Sequence, residues 1–175
     1  MPFAILTVIL VLATITDIQK HKIPNALSLG GIVIGLTLSA YQNGFDGLLQ
    51  SLQGMGLGFA LFIPFYLLRG MAAGDVKLIA AVGAFVGPKL ALAAVAGTLI
   101  SGSVLAIAYA VFAGGGLAYL QRYGQMAKVM LTTHQLTYFK PTENDAGSKR
   151  FPYALAIMVG TYAGYFWVNQ SFPFV

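Results

Sequence analysis

The sequence has no cysteine and little charge. The absence of cysteine excludes disulfides, thiol nucleophiles and cysteine-ligated zinc. Charged residues make up 9% of the 175 residues, whereas an ordinary soluble domain is about a quarter charged. Hydrophobic residues make up 58%, so the composition is typical of an integral membrane protein. No polar region is long enough for a separate soluble domain, and we expect a single membrane domain over residues 1–175.

Several apolar runs approach the length of a membrane-spanning α-helix, which needs about 20 residues. They show no alternation of apolar and polar residues that would indicate a membrane β-barrel. We therefore predict an all-α bundle with six membrane segments, at about residues 3–16, 26–42, 54–69, 75–87, 90–113 and 151–169. The fourth segment is short for a full crossing, and the alternative is that it is partly enclosed by protein.

The basic residues indicate the orientation of the bundle, because cytoplasmic loops carry the excess of lysine and arginine. Six crossings divide the loops into two sets, and one set contains nine of the ten basic residues while the other contains only Lys89. Both termini are therefore predicted to lie outside. Residues 114–150 would form a cytoplasmic amphipathic segment and a loop. Since topology accounts for the net charge of +5, we expect no nucleic-acid partner.

Small residues recur four positions apart in three of the predicted segments. In lipid such pairs let two helix backbones approach closely. The pairs are Gly54 and Gly58, Gly83 and Gly87, and Gly160 and Gly164. Helix packing is the predicted role of all three.

Two of the five acidic residues lie at the ends of predicted membrane segments. Asp17 ends the first segment and Asp75 opens the fourth. Taken singly, Asp75 is a candidate helix N-cap and Asp17 marks the water boundary, yet ionisable groups near membrane depth are costly and usually functional. Because the first segment runs inward and the fourth outward, both carboxyl groups are predicted at the same cytoplasmic depth, where they can meet.

Two aspartates at one site cannot comfortably both ionise, so one serves as acid and the other as base. Such a pair can activate water and protonate a leaving amine, which is peptide hydrolysis without a covalent intermediate. His21 and His134 lack metal-ligand spacing, so no metal or cofactor is predicted. A small transporter that uses the same carboxylates for protons or cations is the alternative from another class.

Three stretches carry these aspartates and the start of the last segment. In "TITDIQKHKIPN", Asp17 is followed six positions later by Ile-Pro-Asn. "AAGDVKLIAAVGAFVGP" contains Asp75 and a lysine two residues further on, and "KRFPYALAIMVG" leads into the last segment. In this order they resemble the type IV prepilin peptidases, membrane aspartic proteases with a GxGD motif. Ala72 stands where the family has the first glycine of that motif, and alanine would resist a positive φ if the loop required one.

The resemblance implies an aspartic endopeptidase of the cell inner membrane, with Asp17 and Asp75 as its catalytic residues. Its substrates would be prepilins, from which it would remove a short basic leader at the cytoplasmic face, in contact with membrane lipid. Long members of the family carry a cysteine-containing region and also N-methylate the product. Without cysteine, this chain resembles the short form associated with Flp or Tad pili, for which only peptidase activity is expected. A non-catalytic scaffold for pilus assembly is a further alternative.

Six neighbours of the aspartates are hypothetical supporting or substrate-binding residues: Pro24, Asn25, Gly74, Lys77, Pro152 and Tyr153. Gly74 would allow backbone or substrate to approach Asp75 closely. Pro24 would prevent the first helix from continuing, and Asn25 would cap the second.

The remaining three have two interpretations each. Lys77 either biases the charge of the aspartate pair or anchors the chain on the inner side. Pro152 and Tyr153 either place the last helix beside the pair or act as a helix start and an interfacial aromatic residue.

Overall fold

A computed structural model describes residues 2–68, 70–112 and 152–171 of the chain. These residues form four helices and no β-strand: α1 (Pro2–Lys20), α2 (Asn25–Leu67), α3 (Ala73–Phe112) and α4 (Tyr153–Ser171). By length and composition, α1, α2 and the Ala73–Ala108 part of α3 can cross a membrane. The all-α membrane prediction is confirmed. The prediction of six separate spans is not, because two pairs of predicted segments are each joined in one interrupted helix.

The chain divides into two compact units. The first comprises Met1–Gly102 and Pro152–Val175, and the second comprises Ser103–Phe151. Of the second unit the structure describes residues 103–112, which are helical. The amphipathic segment and loop predicted at 114–150, including His134, lie outside the described residues. Both candidate aspartates belong to the first unit.

The long helix α2 reverses direction at Asn43 and Gly44. Gly44 has φ 60° and ψ −141°, a conformation that residues with a Cβ rarely adopt. The hydroxyl groups of Ser39 and Ser51, on either side of this interruption, lie 3.5 Å and 2.5 Å from the same acceptor, the carbonyl oxygen of Ala84. Because a straight helix would separate the two serines by about 18 Å, the second half of α2 must fold back along the first.

Residues 45–53 were predicted to lie between two membrane segments. These residues are helical and belong to the second half of α2. Their polar side chains do not interrupt the helix because each has a suitable environment. Ser51 is buried and bonded to a carbonyl group, while Gln50 and Gln53 are exposed.

The helix α3 reverses at Gly87, which has φ 74° and ψ 179° and precedes Pro88. This reversal follows from the position of Tyr153, at the start of α4, which lies near residues on either side of Gly87. Its hydroxyl group lies against Gly102, and the residue also interacts electrostatically with Asp75. Along a straight helix Asp75 and Gly102 would be about 40 Å apart. The turn at Gly87 therefore brings residues 88–102 back beside the first half of α3.

The first half of α3, residues 73–86, lies inside the first unit. Asp75, Val76 and all residues from Leu78 to Ala84 are buried. This half is about 20 Å long, shorter than the hydrocarbon core of a bilayer at about 30 Å. The burial and length both favour the alternative that this segment is enclosed by protein.

Bare glycine backbones allow the segments to pack against one another. A Cβ atom on Gly54 would overlap the carbonyl oxygen of Gly83, and one on Gly83 would overlap that of Gly54. Gly160 of α4 lies in the same way against the backbone of Thr98. The packing role predicted for the glycine pairs is confirmed at these positions, but Gly87 forms a turn instead.

Candidate active site

Asp17 lies at the end of the buried stripe of α1. The buried residues of this helix recur every three or four positions: Leu6, Ile9, Leu10, Ala13, Thr14 and Asp17. The side chain of Asp17 is 6% exposed. Its Oδ2 atom accepts a hydrogen bond from the backbone N–H of Ala154 at 3.0 Å. A carboxyl group thus occupies a position where the helix pattern requires burial.

The partner of Asp17 lies in the first turn of α4. Backbone N–H groups in the first turn of a helix have no acceptor within that helix, and Asp17 supplies one from α1. The negative charge of a carboxylate is also favoured at the positive end of a helix dipole. Pro152 and Tyr153 directly precede Ala154, so the structure brings the start of the last helix to Asp17.

Asp75 lies in the first turn of α3 and is 4% exposed. Its Oδ2 atom accepts a hydrogen bond from the N–H of Ala72 at 2.9 Å, and its own N–H donates to the carbonyl oxygen of Ala72 at 3.1 Å. This reciprocal pair closes the helix start as the acidic residue of a capping box does. Among the residues described, the only one other than glycine with a positive φ is His21, so Ala72 meets no conformational obstacle.

The carboxyl groups of Asp17 and Asp75 are close enough for their charges to interact. Each has its Oδ2 atom fixed by a backbone N–H group. No lysine or arginine within the described ranges forms an ion pair with either of them. Two neighbouring buried carboxyl groups can hold one proton between them, which provides an acid and a base at the same place.

The linker between α1 and α2 packs against the first turn of α3. His21, with φ 49°, turns the chain directly after α1. Two residues later, Ile23 covers Gly74, since a Cβ atom placed on that glycine would lie 3.1 Å from the Cβ atom of Ile23. Any side chain at position 74 would press on the linker immediately beside Asp75.

The start of α2 is tied to α3 by a polar contact. Pro24 occupies the N-cap position of α2, and its carbonyl oxygen accepts from the N–H groups of Leu27 and Ser28. The prediction that Asn25 caps this helix was wrong, because the preceding residue takes the cap position. The Oδ1 atom of Asn25 instead accepts a hydrogen bond from Nζ of Lys77 at 3.0 Å. This bond directs the lysine to α2.

Residues 4–118 match the type IV leader peptidase family. The match includes both aspartates, the linker between α1 and α2, and the turn that precedes Asp75. The chain belongs to this family. Searches among curated proteins and among solved structures found no significant match. Family membership and the three long apolar helices together make this chain a leader peptidase of the membrane.

The described part of the leader peptidase has no group of three or more histidine, cysteine, aspartate or glutamate side chains placed to hold a metal ion. The contacts that Ala154, Ala72 and Ile23 make around the aspartates were not predicted from the sequence. The first two act through backbone N–H groups, which leave no pattern in a sequence. Ile23 did carry a signal, since it opens the Ile-Pro-Asn stretch that follows Asp17.

Proposed function

We propose that this leader peptidase is an intramembrane aspartic endopeptidase that removes the leader of prepilins, with Asp17 and Asp75 as its catalytic pair. The proposal is supported by two buried carboxyl groups, at the end of α1 and at the start of α3, that lie near enough for their charges to interact. A peptidase needs a group to activate water and a group to protonate the leaving amine. In this site one carboxyl group is available for each task.

In the proposed reaction, a water molecule lies between the two carboxyl groups. The ionised aspartate takes a proton from the water molecule while the water oxygen attacks the carbonyl carbon of the scissile peptide. The protonated aspartate donates a hydrogen bond to the carbonyl oxygen, on which negative charge develops. The tetrahedral intermediate then collapses: its C=O bond re-forms, its C–N bond breaks, and the aspartate that took the proton from water donates it to the leaving nitrogen.

The basic residues support a reaction at the cytoplasmic face of the inner membrane. Lys20 and Lys22 follow Asp17, and Lys77 follows Asp75, whereas Lys89 lies just beyond the turn at the other end of the buried half of α3. Cytoplasmic loops carry the excess of positive charge. Together with the reversals within α2 and α3, this distribution supports a bundle of six segments, the fourth of them enclosed by protein, with both termini outside.

The proposed substrates are Flp-type prepilins, in line with the resemblance of the chain to the short form of the family. The hydrophobic helix of a prepilin can lie in the membrane while its leader stays on the inner side. The scissile peptide must be locally unwound, because the backbone groups of a helix are paired internally and its carbonyl groups are shielded. Since the chain has no cysteine, we assign it peptidase activity without N-methylation.

We assign the other predicted residues to positioning rather than to proton transfer. Pro152 and Tyr153 begin α4 at Asp17, and Pro24 begins α2 beside the first turn of α3. Gly74 leaves room for the linker beside Asp75. Lys77 and Asn25 bond to each other and so hold α2 against α3.

The proposal is tested by co-expression with a Flp-type prepilin, whose cleavage is followed as a mobility shift. Asp17→Asn and Asp75→Asn are each expected to lower the cleavage rate by at least about 10²-fold, the lower range for loss of a general acid or base. Asparagine keeps the size and much of the hydrogen bonding but cannot exchange the proton. Asp46→Asn, at an exposed position near the reversal of α2, is the matched control and should cleave like the wild type.

Undiminished cleavage by either site variant would remove that aspartate from the mechanism. If the wild type cleaves no Flp-type prepilin, the transporter and the scaffold become the better hypotheses. The mass of the mature product tests the second part of the assignment, since an N-methylated terminus would contradict a peptidase without methyltransferase activity.

A further inference from the structure

The linker between α1 and α2 contacts the backbone of Asp17 and the residue that precedes Asp75. At its start, the N–H of His21 donates to the carbonyl oxygen of Asp17 at 2.8 Å. Two residues later, the half-buried side chain of Ile23 lies against Gly74, the residue before Asp75. Ile23 also packs against the buried apolar core. A displacement of this linker would therefore act on the backbone beside both aspartates.

A second contact ties the same part of the chain to the same turn of α3. The hydrogen bond between Asn25 and Lys77 lies beyond Asp75, so the two contacts flank this aspartate at positions 74 and 77. The bond to Lys77 is exposed, and an exposed polar contact contributes little to the fixing of a structure. The apolar contact of Ile23 is partly enclosed and excludes water, so it carries the larger share of the connection.

We propose that Ile23 is a positioning residue that sets the separation of Asp17 and Asp75, a role that rests on the proposed function of this pair. Its Cβ, Cγ1 and Cδ1 atoms lie 3.1, 3.6 and 3.7 Å from the place where Gly74 lacks a Cβ. The branched side chain thus fills the space over the bare glycine. Truncation to alanine keeps the Cβ atom but removes Cγ1 and Cδ1, and so leaves the first turn of α3 room to shift toward the linker.

The first test compares prepilin cleavage by Ile23→Ala, Ile23→Val and Ile15→Ala. Misplacement of a catalytic group by about 1 Å costs about 10²-fold in rate, so we expect Ile23→Ala to lower kcat by about 10²-fold with little change in KM. Ile23→Val keeps the branch at Cβ and should retain most of the wild-type kcat. Ile15→Ala is the matched control, because Ile15 is an exposed residue of α1, and it should behave as the wild type.

The second test measures the separation of the two positions without using activity. Since the chain has no cysteine, Asp17→Cys with Asp75→Cys provides a unique pair of thiols, which a short bifunctional thiol reagent can join. Ile23→Ala added to this pair should slow cross-linking, whereas Ile15→Ala should not. If Ile23→Ala fails to fold, Ile23→Leu takes its place, since it keeps the volume and moves the branch away from Cβ.

The outcomes separate this proposal from the proposed function. Slower cross-linking by the Ile23 variants supports the positioning role even if the wild type cleaves no prepilin, in which case only the peptidase proposal fails. A lower kcat with unchanged cross-linking would overturn the positioning role, because Ile23 would then act on the substrate. Unchanged kcat and unchanged cross-linking would overturn it as well.

Discussion

The carboxyl group of Asp17 accepts a hydrogen bond from the backbone N–H of Ala154 at 3.0 Å, across 137 positions of the chain. The same group is one half of the proposed catalytic pair. It therefore has a structural task at the start of α4 and a proposed chemical task with Asp75. Substitutions that differ in hydrogen-bonding capacity can separate the two tasks.

We expect Asp17→Asn and Asp17→Ala to be equally inactive but unequally stable. The amide oxygen of asparagine can still accept from the N–H of Ala154. Alanine leaves that buried N–H group without an acceptor, which costs about 1–3 kcal/mol. Thermal unfolding of the purified variants in detergent should show a lower midpoint for Asp17→Ala. Equal midpoints would mean that the hydrogen bond does not stabilise the start of α4.

Because Lys77 and Asn25 bond to each other, substitutions at the two positions should have small and non-additive effects on the cleavage rate. Because the contact is exposed, its loss should cost at most about 1 kcal/mol and change cleavage less than about 5-fold. We expect Lys77→Gln, Asn25→Ala and the double variant to show similar cleavage rates. Loss of activity in Lys77→Gln with a normal rate in Asn25→Ala would instead indicate that the lysine acts on the charge of the aspartate pair.

Two glycines in the second half of α2 should differ sharply in their tolerance of valine. A side chain at Gly54 would overlap the backbone of Gly83, whereas a Cβ atom on the exposed Gly56 has no neighbour within 4 Å. We expect Gly54→Val to lower the free energy of unfolding by at least about 1–3 kcal/mol, as overpacking does. Gly56→Val is the control and should unfold like the wild type. Similar unfolding of the two variants would contradict the close packing of α2 on α3.

The two small residues before Asp75 should respond differently to substitution. Ala72→Gly restores the motif glycine of the family, but the alanine is exposed and has no positive φ, so cleavage should hardly change. Gly74→Ala places a Cβ atom 3.1 Å from that of Ile23, and we expect slower cleavage because the linker must move. A gain in rate for Ala72→Gly would show that the turn needs a conformation that alanine resists.

The proposed topology can be tested with single cysteines, since the wild-type chain has none to mask. Lys22→Cys is predicted to face the cytoplasm. Asp46→Cys and Lys89→Cys lie next to the two reversals and are predicted to face the opposite side. The reagent is a membrane-impermeant maleimide, applied to cells whose outer membrane has been removed and whose inner membrane is intact. It should label Asp46→Cys and Lys89→Cys directly. It should label Lys22→Cys only after the cells are lysed. Labelling of Lys22→Cys from outside would invert the orientation.

The sequence by itself was sufficient for the helical membrane class, the family and the residues proposed as the catalytic pair. Long apolar runs with few charges are compatible with a bilayer whatever their tertiary packing. A carboxyl group at the end of such a run is conspicuous because placing an ionisable group near the membrane costs free energy. The reversals near 43 and 87 also had local signals. Asn43, Gly44 and Gly87 are turn-forming residues, and glycine alone readily adopts the backbone angles observed there.

Only the tertiary structure decided which groups surround the aspartates. The N–H of Ala154 looks like any other backbone group in the sequence, and it reaches Asp17 because α1 packs against α4. Asparagine is a residue type that commonly caps helices. The side chain of Asn25 nevertheless bonds to Lys77, because the packing of the helices brings that lysine to it. Local propensity cannot specify such pairs. They depend on how helices that are distant in sequence pack, and on how closely two helix backbones approach where glycine lies between them.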